Sequence, residues 1–419
     1  MTMTRRAALR ATAAGALTAS MTSLAATRAH AQATSGPIRL PLLMTLSGPV
    51  APIGIEAKTG GDITAALINK AGGINGRQVE LIWADDKGRP NDGIAAAREL
   101  LSAGHKVLGG VLLSSITSGL LPLLAETKTV LVGCSGNGLA FTHEQYSPFY
   151  FPGQENEYQR AAVMGQYVAE KLPDAKSWGG LVSETDAYIK SYASFAKFAA
   201  AAYAKTGKTP KFADVTAFKF GTNDFRQTLA VLAASGIDAV YNMVLGADGL
   251  TLWQQAQGFG LETRLKGVMD QTIDLTTAKA LKKRLPPNLL NMTNWYHGLY
   301  MHLPQVRAFF DEYVARTGDR LPSGNVKHAA QTVDVLARAV GAVGTDADKL
   351  IPHIEGGTFP SLKGDVTFRK EDHLMLTDID IIKIVPSDTE PTGIAVLDPV
   401  KYPALPFSHP AEPGKPFAG

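Results

Sequence analysis

The chain has 419 residues, 45% of them hydrophobic and 19% charged; this is a globular composition, and the length exceeds what one ordinary core accommodates. The formal net charge is +3, yet Arg5, Arg6, Arg10 and Arg28 all fall in the first thirty residues, and the chain without them carries −1. A body so close to neutral offers no electrostatic footprint for nucleic acid, and the single cysteine, Cys134, excludes an internal disulfide and any multi-cysteine metal centre.

Residues 1–31 read as an export signal. A basic start (TRRAALR) precedes a weakly apolar run rich in Ala and Thr, then Ala29-His30-Ala31, whose small residues suit cleavage before Gln32. Arg5-Arg6 followed by Leu9 fits the twin-arginine pattern. No later apolar run approaches the ~20 residues that span a bilayer.

From Ile38 the chain alternates between two periodicities. IRLPLLMTL, QVELIWADD, KVLGGVLL and TVLVGCS predict strands, separated by helical segments GIEAKTGGDITAALINKAG, PNDGIAAARELLSAG and SSITSGLLPLLAETK. After a break at FYFPGQEN the rhythm restarts. Strands are expected at SWGGLVSE, DVTAFKF, DAVYNMVL and LKGVMD, with helices between them. Such β-α series with short connections predict parallel sheets covered by helices on both faces. A helix at 325–343 and a strand pair near 365–385 follow. The tail from Leu397 holds six prolines and is expected to lack regular structure.

Several stretches in this order resemble the leucine/isoleucine/valine-binding family of periplasmic receptors. They are Leu46-Ser47-Gly48-Pro49, Asn69-Lys70-Ala71-Gly72-Gly73-Ile74-Asn75-Gly76, Asp85-Asp86, VLVGCSGNG, the Gly221–Phe225 turn and GIDAVYNMVLGADG. The resemblance covers roughly 37–385. It implies an α/β fold of two doubly wound parallel-sheet lobes joined by a three-crossing hinge. Lobe I would be 37–153 plus 292–366, and lobe II 154–291 plus 367–396, with the Pro-rich 397–419 tail beyond them. Phe151-Pro152-Gly153 and Leu285-Pro286-Pro287 lie at or near the expected crossings. The implied function is capture of a branched-chain or hydrophobic amino acid, or a related small carboxylate, in the cleft between lobes. Delivery would be to an ABC permease in the inner membrane, with no cofactor and no metal.

Open α/β sheets bind ligands beyond the carboxyl ends of their strands. Ser114 and Ser115 open a helix there, where free N–H groups and the positive helix end favour a carboxylate; the alternative is that one of them caps its own helix. In Gly133-Cys134-Ser135-Gly136-Asn137-Gly138 small residues admit close approach, and the resemblance places Ser135 and Asn137 beside the ligand; an ordinary glycine-rich turn is the other reading. It also places Tyr188 as a ring closing over ligand and Asp270 as the acid for a ligand ammonium, with Glu184 a weaker candidate. Asp85 and Asp86 read as turn residues, and Cys134 as a packed thiol. Ile53 and Leu245 stand where the family often carries aromatics, which leaves a bulkier or aromatic acid open as ligand. Trp295-Tyr296 fits cleft lining and core packing equally. A sensor that presents ligand to a signalling receptor shares this pattern. An exported hydrolase using Ser135 is the remaining alternative, although Gly133–Asn137 lacks the final glycine of a nucleophile elbow.

Overall fold

The alternating segments do form strands and helices in a computed structural model, which describes residues 36–136 and 138–417; the expected signal peptide and Asn137 lie outside the described residues. The first unit runs β1 (Ile38–Met44), α1 (Ala51–Lys70), β2 (Val79–Asp85), α2 (Pro90–Ser102), β3 (Val107–Gly110), α3 (Ser114–Thr127), β4 (Val130–Gly133) and β5 (Tyr150–Phe151). Its strands are all parallel, in the order β2-β1-β3-β4-β5. Central β1 buries every residue but Arg39, because helices cover both of its faces.

The second unit runs α4 (Glu157–Lys171), β6 (Ser177–Ser183), α5 (Asp186–Ala204), β7 (Lys211–Phe218), α6 (Arg226–Ala234), β8 (Ala239–Met243), α7 (Gly246–Ala256), α8 (Leu261–Arg264), β9 (Gly267–Asp270), α9 (Leu275–Leu281) and β10 (Leu289–Thr293). Its parallel strands lie in the order β7-β6-β8-β9-β10, the same winding as the first sheet. Each sheet therefore has its switch point between its first and third strands, where diverging helices leave a crevice.

The chain then returns. Helices α10 (Pro304–Thr317), α11 (Val326–Val343) and α12 (Ala347–Glu355) precede a small antiparallel sheet of β11 (Thr358–Ser361), β12 (Gly364–Phe368) and β13 (Met375–Leu376). Helix α11 packs along α1 and beneath β1, β3 and β4, so this region belongs to the first lobe. A third crossing leads to β14 (Asp378–Pro386) and β15 (Ile394–Pro403), which extend the second sheet antiparallel to β10.

Three expectations are corrected by this topology. The third crossing falls at Thr377 rather than near 366, because β13 still pairs with β12. Leu285-Pro286-Pro287 is no crossing; it feeds β10 of the second sheet. The tail is not irregular from Leu397, since β15 continues to Pro403. That strand is at the sheet edge, where proline's missing donor costs nothing on the open side. Pro399 sits in a bulge: Ile381 pairs with Val400 but Lys383 with Leu397, and neighbouring Asp398 has φ 45.

The α1–α11 contact depends on glycine. A Cβ at Gly60 would lie 1.8 Å from the Val326 carbonyl oxygen, which is backbone and cannot turn aside. Gly60→Ala must push the two helices apart, and we expect a loss of about 1–3 kcal/mol in urea unfolding. No helix among the described residues is long and apolar enough to cross a membrane.

Candidate ligand-binding cleft

On the first lobe, β3 ends earlier than its apolar run suggests. Gly110 (φ 98) and Val111 (φ 68) turn the chain sharply, and a Cβ at Gly110 would meet the Leu43 carbonyl oxygen at 2.0 Å. A β-branched residue at positive φ is costly, and such outliers collect at functional sites. The kink aims the chain so that α3 begins at Ser114, beyond the strand ends. Leu113 occupies the cap position and gives no side-chain cap bond, so neither serine is an N-cap. Ile116 and Thr117 donate their N–H groups to the Leu113 carbonyl, whereas those of Ser114 and Ser115 have no backbone partner among the described residues. Ser114 is half-buried and Ser115 exposed. This open helix end, with two amides and two hydroxyls, is suited to an anion.

The loop after β4 faces it: a Cβ at Gly138 would lie 3.5 Å from Ser114 Oγ. In that loop Ser135 Oγ accepts a hydrogen bond from Gln154 Nε2 at 2.9 Å, and its carbonyl accepts from Gly153 N at 3.4 Å. The loop is thereby tied to the first crossing. An amide is no general base, so Gln154 does not activate Ser135 as a nucleophile. Cys134 is buried and packed on Thr332; burial pushes its thiol up to about 12, an inert group. Asp86 Oδ1 accepts from Thr45 Oγ1 and Gly88 N, and Asp85 Oδ1 from Leu46 N and Lys87 N, which are turn-bracing roles.

On the second lobe, Thr185 caps α5 by accepting from Tyr188 N. Tyr188 is half-buried, and its hydroxyl has no hydrogen-bond partner among the described residues. Glu184 is exposed at the end of β6.

The structure gives Asp270 a different task from the one expected. It is fully buried; Oδ1 accepts from Thr272 N, Ile273 N and Asn291 Nδ2, and Oδ2 from Asn242 Nδ2 and Thr272 Oγ1. Its lone pairs are consumed within the lobe, which makes it a brace between β8, β9 and β10 and leaves nothing for a ligand ammonium.

An acid not singled out from the sequence stands at the lobe break instead. Glu157 is the first residue of α4, set by a capping box in which Asn156 and Gln159 satisfy each other's backbone N–H. It is half-buried, with no ion pair within 4 Å among the described residues, and its carboxylate accepts from the Leu139 N–H. Its surroundings are the Leu139 N–H from the first lobe and, from the second, Tyr188, Tyr241, Arg160 and Lys190. Burial pushes its carboxyl up to about 7, against the pull of Arg160. Leu139 follows Gly138, so the loop after β4 neighbours both the open end of α3 and Glu157. The signal available in the sequence was the string Gln154-Glu155-Asn156-Glu157, polar residues clustered at the lobe break.

Beneath the cleft the crossings are held by buried charge. Arg160 donates to Glu155 Oε1 (3.0 Å) and Gln271 Oε1 (2.8 Å), Lys327 donates to the Gly153 carbonyl (3.2 Å), and Lys363 Nζ lies 3.6 Å from Asp380 Oδ1. Asp380 also accepts from Tyr300 OH and Tyr296 N. Trp295 is fully buried and donates to the Leu362 carbonyl, so it is core and not cleft wall. Ile53 packs beside Met44, Ala57 and Leu112, and Leu245 is half-buried at the head of α7. Two surface hollows, of about 390 and 410 Å³, open elsewhere, around Arg39 and Lys106 and around Trp253 and Pro287. They contain none of these strand-end groups, and the chemistry favours the cleft.

Two sheets of one winding, joined by three chain crossings, with polar groups at the strand ends of both, are the architecture of a two-lobed binding protein. Comparison with known proteins agrees: the family described as "Periplasmic binding protein" matches residues 37–390. The chain belongs to that family. It is 31% identical over 250 residues to a Leu/Ile/Val-binding protein homolog of Brucella melitensis, an alignment spanning 59% of this chain and 65% of that protein. It is 24% identical over 352 residues to the leucine-, isoleucine-, valine-, threonine-, and alanine-binding protein of Pseudomonas aeruginosa, covering 82% and 89%. Among solved structures it superposes on a solute-binding protein of an ABC transporter from Rhodopseudomonas palustris, in complex with p-hydroxybenzoic acid, with TM-score 0.74 at 19% identity, covering 88% and 97%.

Proposed function

We propose that this protein is the periplasmic solute-binding component of an ABC importer, and that its ligand is a hydrophobic amino acid. Residues 1–31 would direct export, by the twin-arginine route, and be removed near Ala31. The mature protein would hand its ligand to an inner-membrane permease and perform no chemistry on it. The relatives' printed ligands support two classes, branched-chain amino acids and aromatic carboxylates. The observation that favours the first is the presence of both an open helix end at Ser114-Ser115 and an acid, Glu157, that has no ion pair within 4 Å among the described residues. The first suits a carboxylate and the second an ammonium, while Tyr188 supplies an apolar face. By resemblance to the family, Asn137 would contact the same ligand.

The test is a thermal-shift screen with amino acids, aromatic acids, amides and urea. A ligand present at a hundred times its Kd adds about 2.7 kcal/mol to stability. We expect leucine-like amino acids to raise the Tm and benzoates to raise it less or not at all. A shift with benzoates alone would reverse the choice of class, and turnover of any compound would refute the binding role.

A further inference from the structure

The two lobes touch at a second place, on the rim of the cleft, through acids. Glu56 projects from α1 of the first lobe. Asp274 caps α9 of the second, accepting from Thr277 N at 2.7 Å. Between them stands Asn325, at the head of α11 in the first lobe. Its single amide nitrogen donates to Glu56 Oε2 at 2.9 Å and to Asp274 Oδ2 at 2.8 Å, while its oxygen accepts from Asn294 of the second crossing at 3.1 Å. Thr276 Oγ1 of the second lobe completes the contact on Glu56 Oε1 at 2.6 Å. Two carboxylates are thus brought together only because the lobes are together.

We propose that Glu56 and Asp274 form a proton-sensitive latch: one shared proton favours the closed lobes, and two bare charges favour opening. This rests on the hinged-lobe reading and on nothing about which ligand is bound. The neighbouring charges do not neutralise the pair. Lys279, on α9, is engaged by Asp319 at 2.7 Å and by the Leu321 carbonyl. Asp319 lies in the segment after α10 and accepts from Tyr313 OH of that helix. Arg160 reaches the site only through Asn294, at 3.4 Å. From α11 the facing group is the neutral Asn325 amide. In the closed form burial, then Glu56, push the Asp274 carboxyl up to about 6. An open cleft would return it towards the ordinary carboxylate range. A group whose pKa is raised by closure favours closure below that value, and the benefit is lost as pH rises through about 6. Between pH 8 and pH 5 the closed state therefore gains up to about tenfold in relative population.

Small-angle scattering on the ligand-free mature protein tests this directly. The wild-type radius of gyration should fall from pH 8 to pH 5; Asp274→Asn, which removes the titrating charge and still caps α9, should not respond to pH, and Glu56→Gln, which removes the second charge but not the burial, should respond less than wild type. A wild-type radius insensitive to pH, or an Asp274→Asn variant with the wild-type response, overturns the latch. Thr276→Ala, which removes one hydrogen bond and no charge, should keep the pH response. With leucine as probe, the wild-type to Asp274→Asn ratio of Kd should fall by up to about tenfold over the same range; a constant ratio also overturns it. Titration of Glu157 is common to both proteins and cancels in that ratio. Absence of leucine binding at every pH would count against the ligand assignment alone, since the scattering arm needs no ligand.

Discussion

Glu155→Gln is expected to destabilise the protein by about 3–5 kcal/mol, measured by urea unfolding at pH 7. Glu155 is 1% exposed at the first crossing and Asp380 fully buried at the third, and three cations, Arg160, Lys327 and Lys363, share their space. Burial pushes the Glu155 carboxyl up, but Lys363, Lys327 and Arg160 together pull it down further, so it stays ionised. Removing its charge leaves Asp380 to balance three buried cations, one of which, Lys363, has no hydrogen-bond partner for Nζ. Breaking a buried ionic set costs more than the set contributes when whole, because the desolvated partners are stranded. The sign with pH follows: a depressed carboxyl stabilises above its ordinary value, and the effect is lost as pH falls through the lowered one. The gap between wild type and variant should close in acid. Adding Lys363→Met to Glu155→Gln restores the balance of charge and should recover part of the loss. A cost below about 1 kcal/mol for the single variant would mean that the network is hydrated and not buried.

The same network shows where a sequence can and cannot be read. The β-α rhythm, the two lobes and the break at FYFPGQEN were legible because they are periodic or local. Asp270 at the end of a strand was legible as an acid, but not its task. That depends on the register of three parallel strands, which sets Asn242 and Asn291 on either side of it. Spacing along the chain carries no trace of lateral register between separate β-α units. The kink at Gly110-Val111 was hidden for a related reason: an apolar run fits a strand until backbone close to Leu43 forces the turn. Prolines misled at β15 because the rule against them holds for interior strands, and a bulge at an edge escapes it. Glu157 was missed because its resemblance-based competitor, Asp270, seemed to supply the needed charge. Only counting the hydrogen bonds on Asp270 freed the role for another residue.

Glu157→Gln should weaken binding of a leucine-like ligand by about 2–5 kcal/mol, roughly thirtyfold to several thousandfold in Kd by titration calorimetry. The argument is one of unpaired charge. A ligand ammonium entering the closed cleft loses its water and needs an anion in return. Among the candidate acids, Asp270 is spent on its neighbours and Glu155 on the crossing, whereas Glu157, half-buried at the lobe break, has no ion pair within 4 Å among the described residues. Its carboxyl, held at about 7 by burial, is partly protonated at neutral pH in the empty protein. An arriving cation lowers it again, so binding near pH 6.5 should release protons, a quantity read from the dependence of the binding enthalpy on buffer. A plain benzoate at the same place would require the neutral acid and take up protons instead. The sign of proton exchange therefore separates the two ligand classes within one experiment. In the variant the exchange should vanish for an amino acid, and any benzoate affinity should hold or improve. Wild-type affinity for leucine in Glu157→Gln, with proton release intact, would return the ammonium to some other partner.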